Sequence, residues 1–271
     1  MTDKERETPA ADGGGLSGAE LVNPYDDRRA KGEQVEEMFD SIAPAYDFMN
    51  TAMTFGLHRR WRSRALGEVA RGVEAGSVRD ILDIATGTGD LAFYMRRLFP
   101  AARITGVDLS AGMLGVARRK LAASADADKA MMRFEQGDSL AMRYADDSFD
   151  IITVAYGVRN FSHLGQGLRE MARVLRPGGT LCVIELSEPA GRLTRGLYRV
   201  YSRCVIPAVG RLVSRDRRAY SYLPESIAAA PQRDDMTRLM EAAGLSCCRW
   251  KSLTFGAVTY YIATKVAHEK R

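Results

Sequence analysis

Cysteine is scarce in this sequence: four among 271 residues, Cys182, Cys204, Cys247 and Cys248, with no C-x-x-C spacing. That excludes a disulfide framework and a thiolate metal centre, and it suits a reducing compartment. Histidine is scarcer still, three in all and far apart, so no metal site is expected. No apolar run reaches the roughly 18 residues of a membrane span, and the N-terminus lacks the apolar stretch of a secretory leader. A cytoplasmic protein is the expectation. An excess of one charge is missing too: 39 Lys and Arg against 34 Asp and Glu leave a net +5. With no RNA-binding module and no aromatic-studded basic groove, nucleic acid is not an expected partner.

What is present is organised around Asp80-Ile81-Leu82-Asp83-Ile84-Ala85-Thr86-Gly87-Thr88-Gly89-Asp90. Ile81, Leu82, Ile84 and Ala85 form the nearly continuous apolar run of a strand buried on both faces, and Leu91 to Leu98 carries helical periodicity. A strand, a glycine turn and a helix make a nucleotide cradle. Glycine accepts positive φ and lets a ligand approach the backbone, and the helix start behind it offers free N–H groups. Gly87-Thr88-Gly89-Asp90-Leu91-Ala92 also fits the dinucleotide pattern G-x-G-x-x-G/A. Asp108, ending Arg103-Ile104-Thr105-Gly106-Val107-Asp108, can take both hydroxyls of a ribose, in NAD or in S-adenosylmethionine. Asp83 within the first strand, Gly137-Asp138-Ser139 after a third, and Leu175-Arg176-Pro177-Gly178-Gly179 before a fifth together resemble class I methyltransferases.

Along the chain, residues 1–30 are polar and read as a disordered tail, followed by a single domain over 31–271. Val35, Met38, Phe39 and Ile42 recur at helical spacing until Ala43-Pro44 breaks the run, and a second helix covers His58 to Val69. This helical cap (31–75) leads into alternating strands and helices, the pattern of a parallel sheet with right-handed crossovers. Strands are expected at Met132 to Gln136, Phe149 to Ala155 and Thr180 to Leu186, and helices at Gly112 to Leu121, Leu164 to Leu175 and Arg233 to Ala243. Cys247 to Leu253 and Ala257 to Thr264, joined by Phe255-Gly256, make a closing antiparallel pair. The fold class is therefore α/β and Rossmann-like, with seven mostly parallel strands and an antiparallel C-terminal strand.

The stretch 188–231 interrupts this order. Arg192, Arg195, Arg199 and Arg203 stack on one side of a helix, with Leu193, Leu197, Val200, Tyr201 and Cys204 opposite. Arg211, Arg215, Arg217 and Arg218 extend the charge. A helix of this kind either packs its apolar face on the core or meets an anionic membrane surface or an apolar substrate tail.

From about Val35 to Lys265 the residues resemble the C-methyltransferases of menaquinone and ubiquinone biosynthesis. The resemblance rests on Phe39-Asp40-Ser41-Ile42-Ala43-Pro44-Ala45-Tyr46-Asp47, Gly56-Leu57-His58-Arg59-Arg60-Trp61 and Tyr156-Gly157-Val158-Arg159-Asn160-Phe161, all outside the generic cofactor fold. Tyr220 to Ser226 and Phe255-Gly256 with Tyr260 add to it. It implies methyl transfer from S-adenosylmethionine to a ring carbon of a polyprenyl hydroquinol. A substrate dissolved in lipid needs a region such as 188–231, so peripheral contact at the inner face of the membrane is expected. The resemblance leaves naphthoquinol against benzoquinol open, and the oligomeric state, a homodimer included. Ala155 stands where family members often carry serine or threonine.

By motif, Thr88, Asp138, Ser139, Gly87 and Gly89 join Asp108 as cofactor contacts: the loop at the methionine end, Asp108 on the ribose, Asp138 accepting from the adenine amino group. Arg159 is too strong a conjugate acid to be a base, but it can stabilise a phenolate or orient a water. Tyr46, Asp47, His58 and Asn160 can hold or deprotonate the ring hydroxyls. Duller accounts exist for several of these. Asp108 can cap the next helix through Ser110, His58 can stack on Trp61, and Tyr46 and Asp47 can close a turn after Pro44. A non-catalytic cofactor-binding subunit and a methyltransferase for another small aromatic are the competing functions.

Overall fold

Among the described residues, seven strands pair into one sheet: β1 (Asp80–Ile84), β2 (Arg103–Asp108), β3 (Met132–Gln136), β4 (Phe149–Ala155), β5 (Leu175–Leu186), β6 (Leu245–Leu253) and β7 (Val258–Lys265). This computed structural model describes residues 18–25, 28–74, 76–191, 194–196, 198 and 218–266. The strand order is β3-β2-β1-β4-β5-β7-β6. β1 to β5 pair in parallel, and β7 lies antiparallel between β5 and β6. The order reverses between β1 and β4, and ligands of such sheets bind at that switch point, beyond the carboxyl ends of the strands.

The sheet is covered on both faces, which is why its central strands read as continuous apolar runs. Ile81, Ile104 and Ile151 pack with Ala65, Leu66 and Val69 of α4 (Leu57–Gly72), Leu91 and Met95 of α5 (Asp90–Leu98), and Leu114 of α6 (Ala111–Ala122). Leu82, Ile84, Ile152 and Val183 face Leu168 and Met171 of α8 (Leu164–Val174) and Met236 and Met240 of the helix Asp234–Ala242. Over the carboxyl ends sit α2 (Lys31–Ile42) and α3 (Tyr46–Thr54), joined by a 3-10 turn at Ala43–Ala45. Met38, Ile42 and Met49 pack there on Met113 of α6 and on Tyr222 of the helix Arg218–Ala229.

Three expectations need correction. The tail reading runs too long: α1 (Gly18–Leu21) is short, but Ala19 is buried. Glu20 accepts from the Leu164 N–H at 2.6 Å, capping α8, and Lys31 Nζ donates to the Ala19 carbonyl. Side-chain caps, not an apolar stripe, hold this piece. Leu175 is not the end of a helix but the start of β5, paired with Phe149, with Gly178 at φ 78° accommodating the irregular Pro-Gly-Gly stretch. β6 begins at Leu245, before Cys247, and that cysteine sits at φ 52° where the register against β7 shifts. Of the arginine stripe, Arg192, Arg199 and Arg203 lie outside the described residues. Arg195 donates to the Pro189 carbonyl at 3.2 Å.

Candidate active site

The turn after β1 is held from below by a buried acid. Asp83 accepts from Thr86 Oγ1 and from Thr153 Oγ1 of β4, both at 2.6 Å, and burial pushes its carboxyl up to about 6. The chain then turns through Ala85, Gly87 and Gly89, all at positive φ. The packing around it is close. A Cβ on Gly89 would fall 2.8 Å from the Phe134 ring, and one on Gly106 would fall 2.8 Å from Thr86 Oγ1.

Asp108 at the tip of β2 faces this turn. Its Oδ2 accepts from the Gly87 N–H at 2.7 Å and its Oδ1 from the Ser110 N–H at 2.9 Å, while Ser110 Oγ caps α6 at the Met113 N–H. The tie to Ser110 is therefore real, and it leaves each carboxylate oxygen a lone pair for a further donor. Burial pushes the Asp108 carboxyl up to about 6. After β3, Asp138 Oδ1 accepts from the Leu140 N–H at 2.8 Å. Gly87, Asp108, Asp138, Ser139 and Asn160 line one cavity of about 610 Å³. Acceptors at the tip of β2 and after β3, beside a glycine turn and a helix start, suit a nucleoside with an amino-acid tail.

Thr88 and Asp47 are brought together, but neither lines this cavity. Thr88 is buried, and its Oγ1 donates to Asp47 Oδ1 at 2.5 Å. Lys120 Nζ bridges Asp47 and Asp90, at 2.6 and 2.7 Å. Asp47 thus ties the cap to the glycine turn. The cap is fastened again by Asp40, whose Oδ1 accepts from the Gly112 N–H at 2.8 Å at the start of α6.

A second cavity of about 360 Å³ lies under the cap, walled by apolar side chains such as Met38, Ile42, Met53, Leu57 and Leu186. Arg159 and His58 bring basic groups into this wall, beside the smaller polar side chains of Asn50, Thr54, Thr194 and Thr254. Arg159 follows β4 on the 3-10 turn Val158–Asn160. Its Nη1 donates to Glu185 Oε1 at 2.7 Å and to the Tyr156 carbonyl at 2.5 Å. Burial opposes its charge, but Glu185 more than offsets this and holds the guanidinium above its ordinary range. Asn160 Oδ1 accepts from Tyr222 OH at 3.0 Å.

His58 is buried, and desolvation with the charges of Arg62 and Arg59 lowers its pKa to about 4. Its tautomer follows from its neighbour. The Thr54 hydroxyl donates its single proton to the Asn50 carbonyl at 2.6 Å, so at the 2.8 Å contact between Thr54 Oγ1 and His58 Nδ1 the imidazole is the donor. Nε2 is left as a bare acceptor.

The two cavities share three lining residues, Phe39, Tyr46 and Tyr156. These aromatic rings form the wall between them. Tyr156 is under strain, at φ 61°, and its buried hydroxyl has no hydrogen-bond partner among the described residues. Sequence reasoning quoted Tyr156 within a motif but gave it no role, and it missed Phe39, Tyr222, Lys120 and Glu185 as site residues. For Glu185 a signal was available: a lone acid inside the apolar run Thr180 to Leu186.

Fold and cavity together define the class, a class I methyltransferase that draws its methyl group from S-adenosylmethionine. The phosphoethanolamine N-methyltransferase 2 of Haemonchus contortus, solved with S-adenosyl-L-methionine, shares the fold. Its TM-score is 0.56 at 15% identity, covering 75% of this chain and 52% of its own. The sequence pattern of the ubiE/COQ5 methyltransferase family matches residues 27–265, and this chain belongs to that family. Demethylmenaquinone methyltransferase of Bacteroides fragilis is 41% identical over 246 residues, 91% of this chain and 98% of its own. Ubiquinone/menaquinone biosynthesis C-methyltransferase UbiE of Geobacter sulfurreducens is 41% identical over 236 residues, 87% of this chain and 90% of its own.

Proposed function

We propose that this chain methylates a ring carbon of demethylmenaquinol to give menaquinol, with the benzoquinol of ubiquinone biosynthesis as the neighbouring substrate class. The observation that carries the reading is the pair of cavities sharing one aromatic wall: a polar one with the glycine turn, Asp108 and Asp138, and an apolar one broken by Arg159 and His58. When bound, the cofactor supplies a methyl group already activated on a sulfonium.

The residues of this chain then have to orient the ring, exclude water and manage one hydroxyl proton. His58 Nε2, a bare acceptor on a weakly basic ring, takes a hydrogen bond from a ring hydroxyl. The hydroxyl proton passes along this hydrogen bond to Nε2, the charge of Arg159 stabilises the phenolate that raises the nucleophilicity of the adjacent carbon, and the C–H proton of the methylated carbon returns to the oxygen as the ring regains aromaticity. Tyr46, within the shared wall, and Asn160, from the polar cavity, fix the ring's position. Asp47, with both oxygens committed to Thr88 and Lys120, positions the glycine turn and is not the base. The apolar cavity receives the start of a prenyl tail, whose remainder stays in lipid, so the protein works at the inner face of the membrane.

The test is a transfer assay with labelled S-adenosylmethionine, offering reduced demethylmenaquinol and its benzoquinol counterpart in detergent micelles, with mass spectrometry of the products. Label on the naphthoquinol ring is the expected result. No label on either quinol, with cofactor binding shown by calorimetry, would sink the reading in favour of a non-catalytic subunit.

A further inference from the structure

Two Phe-Gly turns lie on the rim of the apolar cavity, one from each end of the chain. Phe55 ends α3 at φ 50° and is followed by Gly56 at φ 73°. Phe255 sits in the 3-10 turn between β6 and β7 at φ 57° and is followed by Gly256 at φ 97°. A left-handed backbone is unfavourable for a bulky side chain, and glycine or asparagine would relieve it. These are also the most exposed large apolar side chains among the described residues, at 80% and 83%. Each position thus breaks two local rules at once, backbone and burial, and the second turn is fastened in place by Trp61 Nε1 donating to Thr254 Oγ1 at 2.8 Å. Such paired violations mark function when no packing gain compensates them.

The charge on the helix that follows Phe55 points the same way. Arg59, Arg60 and Arg64, on the helix that begins just after Phe55, are exposed and make no ion pair among the described residues. On the same helix Arg62 pairs with Asp90 and Arg71 with Glu68. Phe48, on α3, adds a third exposed ring at 65%.

We propose that Phe55 and Phe255 are a two-pronged anchor that inserts into an anionic lipid surface, setting the mouth of the apolar cavity against the bilayer. The occupant is lipid because exposed rings of this kind, with arginines on the adjoining helix that make no ion pair among the described residues, match an interface of acyl chains beneath anionic headgroups. The inference rests on the reading of the substrate as a prenylated quinol, whose tail would pass between the two prongs without crossing water.

The experiment is co-sedimentation of the full chain with vesicles of phosphatidylcholine alone and of equal parts phosphatidylcholine and phosphatidylglycerol, with no quinol present. The variants are Phe55→Asn/Phe255→Asn, chosen because asparagine tolerates the left-handed backbone, and Arg59→Gln/Arg60→Gln. The wild type is expected to pellet with the anionic vesicles. The asparagine pair should lower that partition by roughly tenfold or more, in line with the loss of two buried rings. The glutamine pair should abolish the preference for the anionic composition. S-adenosylhomocysteine binding by calorimetry, at a cavity that neither phenylalanine lines, shows that the variants are folded. An asparagine pair that pellets like the wild type overturns the anchor. So does a wild type that ignores vesicles and self-associates in solution through the patch. A chain that pellets through these rings but methylates no quinol loses the functional reading alone. One that methylates micellar demethylmenaquinol and ignores vesicles loses the anchor alone.

Discussion

Arg159 Nη1 lies 2.7 Å from Glu185 Oε1, and the two side chains are 7% and 3% exposed. A charge pair this deep contributes little net stability when intact, but removing one partner strands the other in a medium that solvates it poorly. Arg159→Met should therefore cost about 3–5 kcal/mol in urea unfolding, and Arg159→Met/Glu185→Leu should cost less than the single change. Arg159→Lys keeps the charge but loses the planar fork, so it should retain more stability than Arg159→Met and still lose turnover. Intact turnover in Arg159→Lys would remove the guanidinium from the mechanism.

Tyr156 makes a prediction of opposite sign. Its buried hydroxyl lacks a partner among the described residues, and leaving such a group unsatisfied costs about 1–3 kcal/mol. Tyr156→Phe should stabilise the protein in the absence of ligands, raising its urea midpoint. A fall in the midpoint would show that the hydroxyl has a partner in solution.

With Asp108 as the proposed ribose acceptor, cofactor affinity should depend on pH. A ribose donates to the ionised carboxylate, and burial has raised this group to about 6, so protonation competes with the ligand below that value. The affinity for S-adenosylhomocysteine should be flat above pH 7 and weaken toward about tenfold per unit below pH 6. Asp108→Asn should be weaker at every pH, with a flattened profile. Calorimetry from pH 5 to 8 reads both.

His58 works on stability instead. Its folded pKa of about 4 lies below the ordinary 6.5, so the unfolded chain binds more protons between those values, and stability falls as pH drops through that window. Asp83 and Asp108, both raised to about 6, act in the opposite direction, because their protonated forms favour the folded state. Comparing wild type with His58→Gln isolates the histidine: the variant should lose less stability between pH 6.5 and pH 4.5. Equal losses would mean that the imidazole is not held neutral.

Much of this was legible along the chain because the signals were local. The run Ile81 to Ala85, the glycine turn and the acid closing β2 each report on their own neighbourhood, and the positions of β1 to β4 follow from them. Leu175 and α1 were misread for physical reasons. A helical period runs on into Leu175, where pairing with Phe149 overrides it, and a single turn of helix held by caps leaves no apolar stripe. The site was half visible. Asp108, Asp138, Ser139, Arg159, Asn160, His58 and Tyr46 all line one or other cavity, but nothing near Asp47 announces Lys120, which reaches it only once α6 has packed under the cap. The sharing of three rings by two cavities is a property of the fold, with no trace in spacing.

The carboxylate of Glu20 closes the start of α8 from far away in the chain. Trimming the protein back to Lys31, as its polar composition invites, would uncap α8 and remove Ala19 from its buried place. Any shortened version made for crystallisation or assay should begin upstream of Gly18, or its properties will be those of a protein with a frayed helix beside its cofactor cavity.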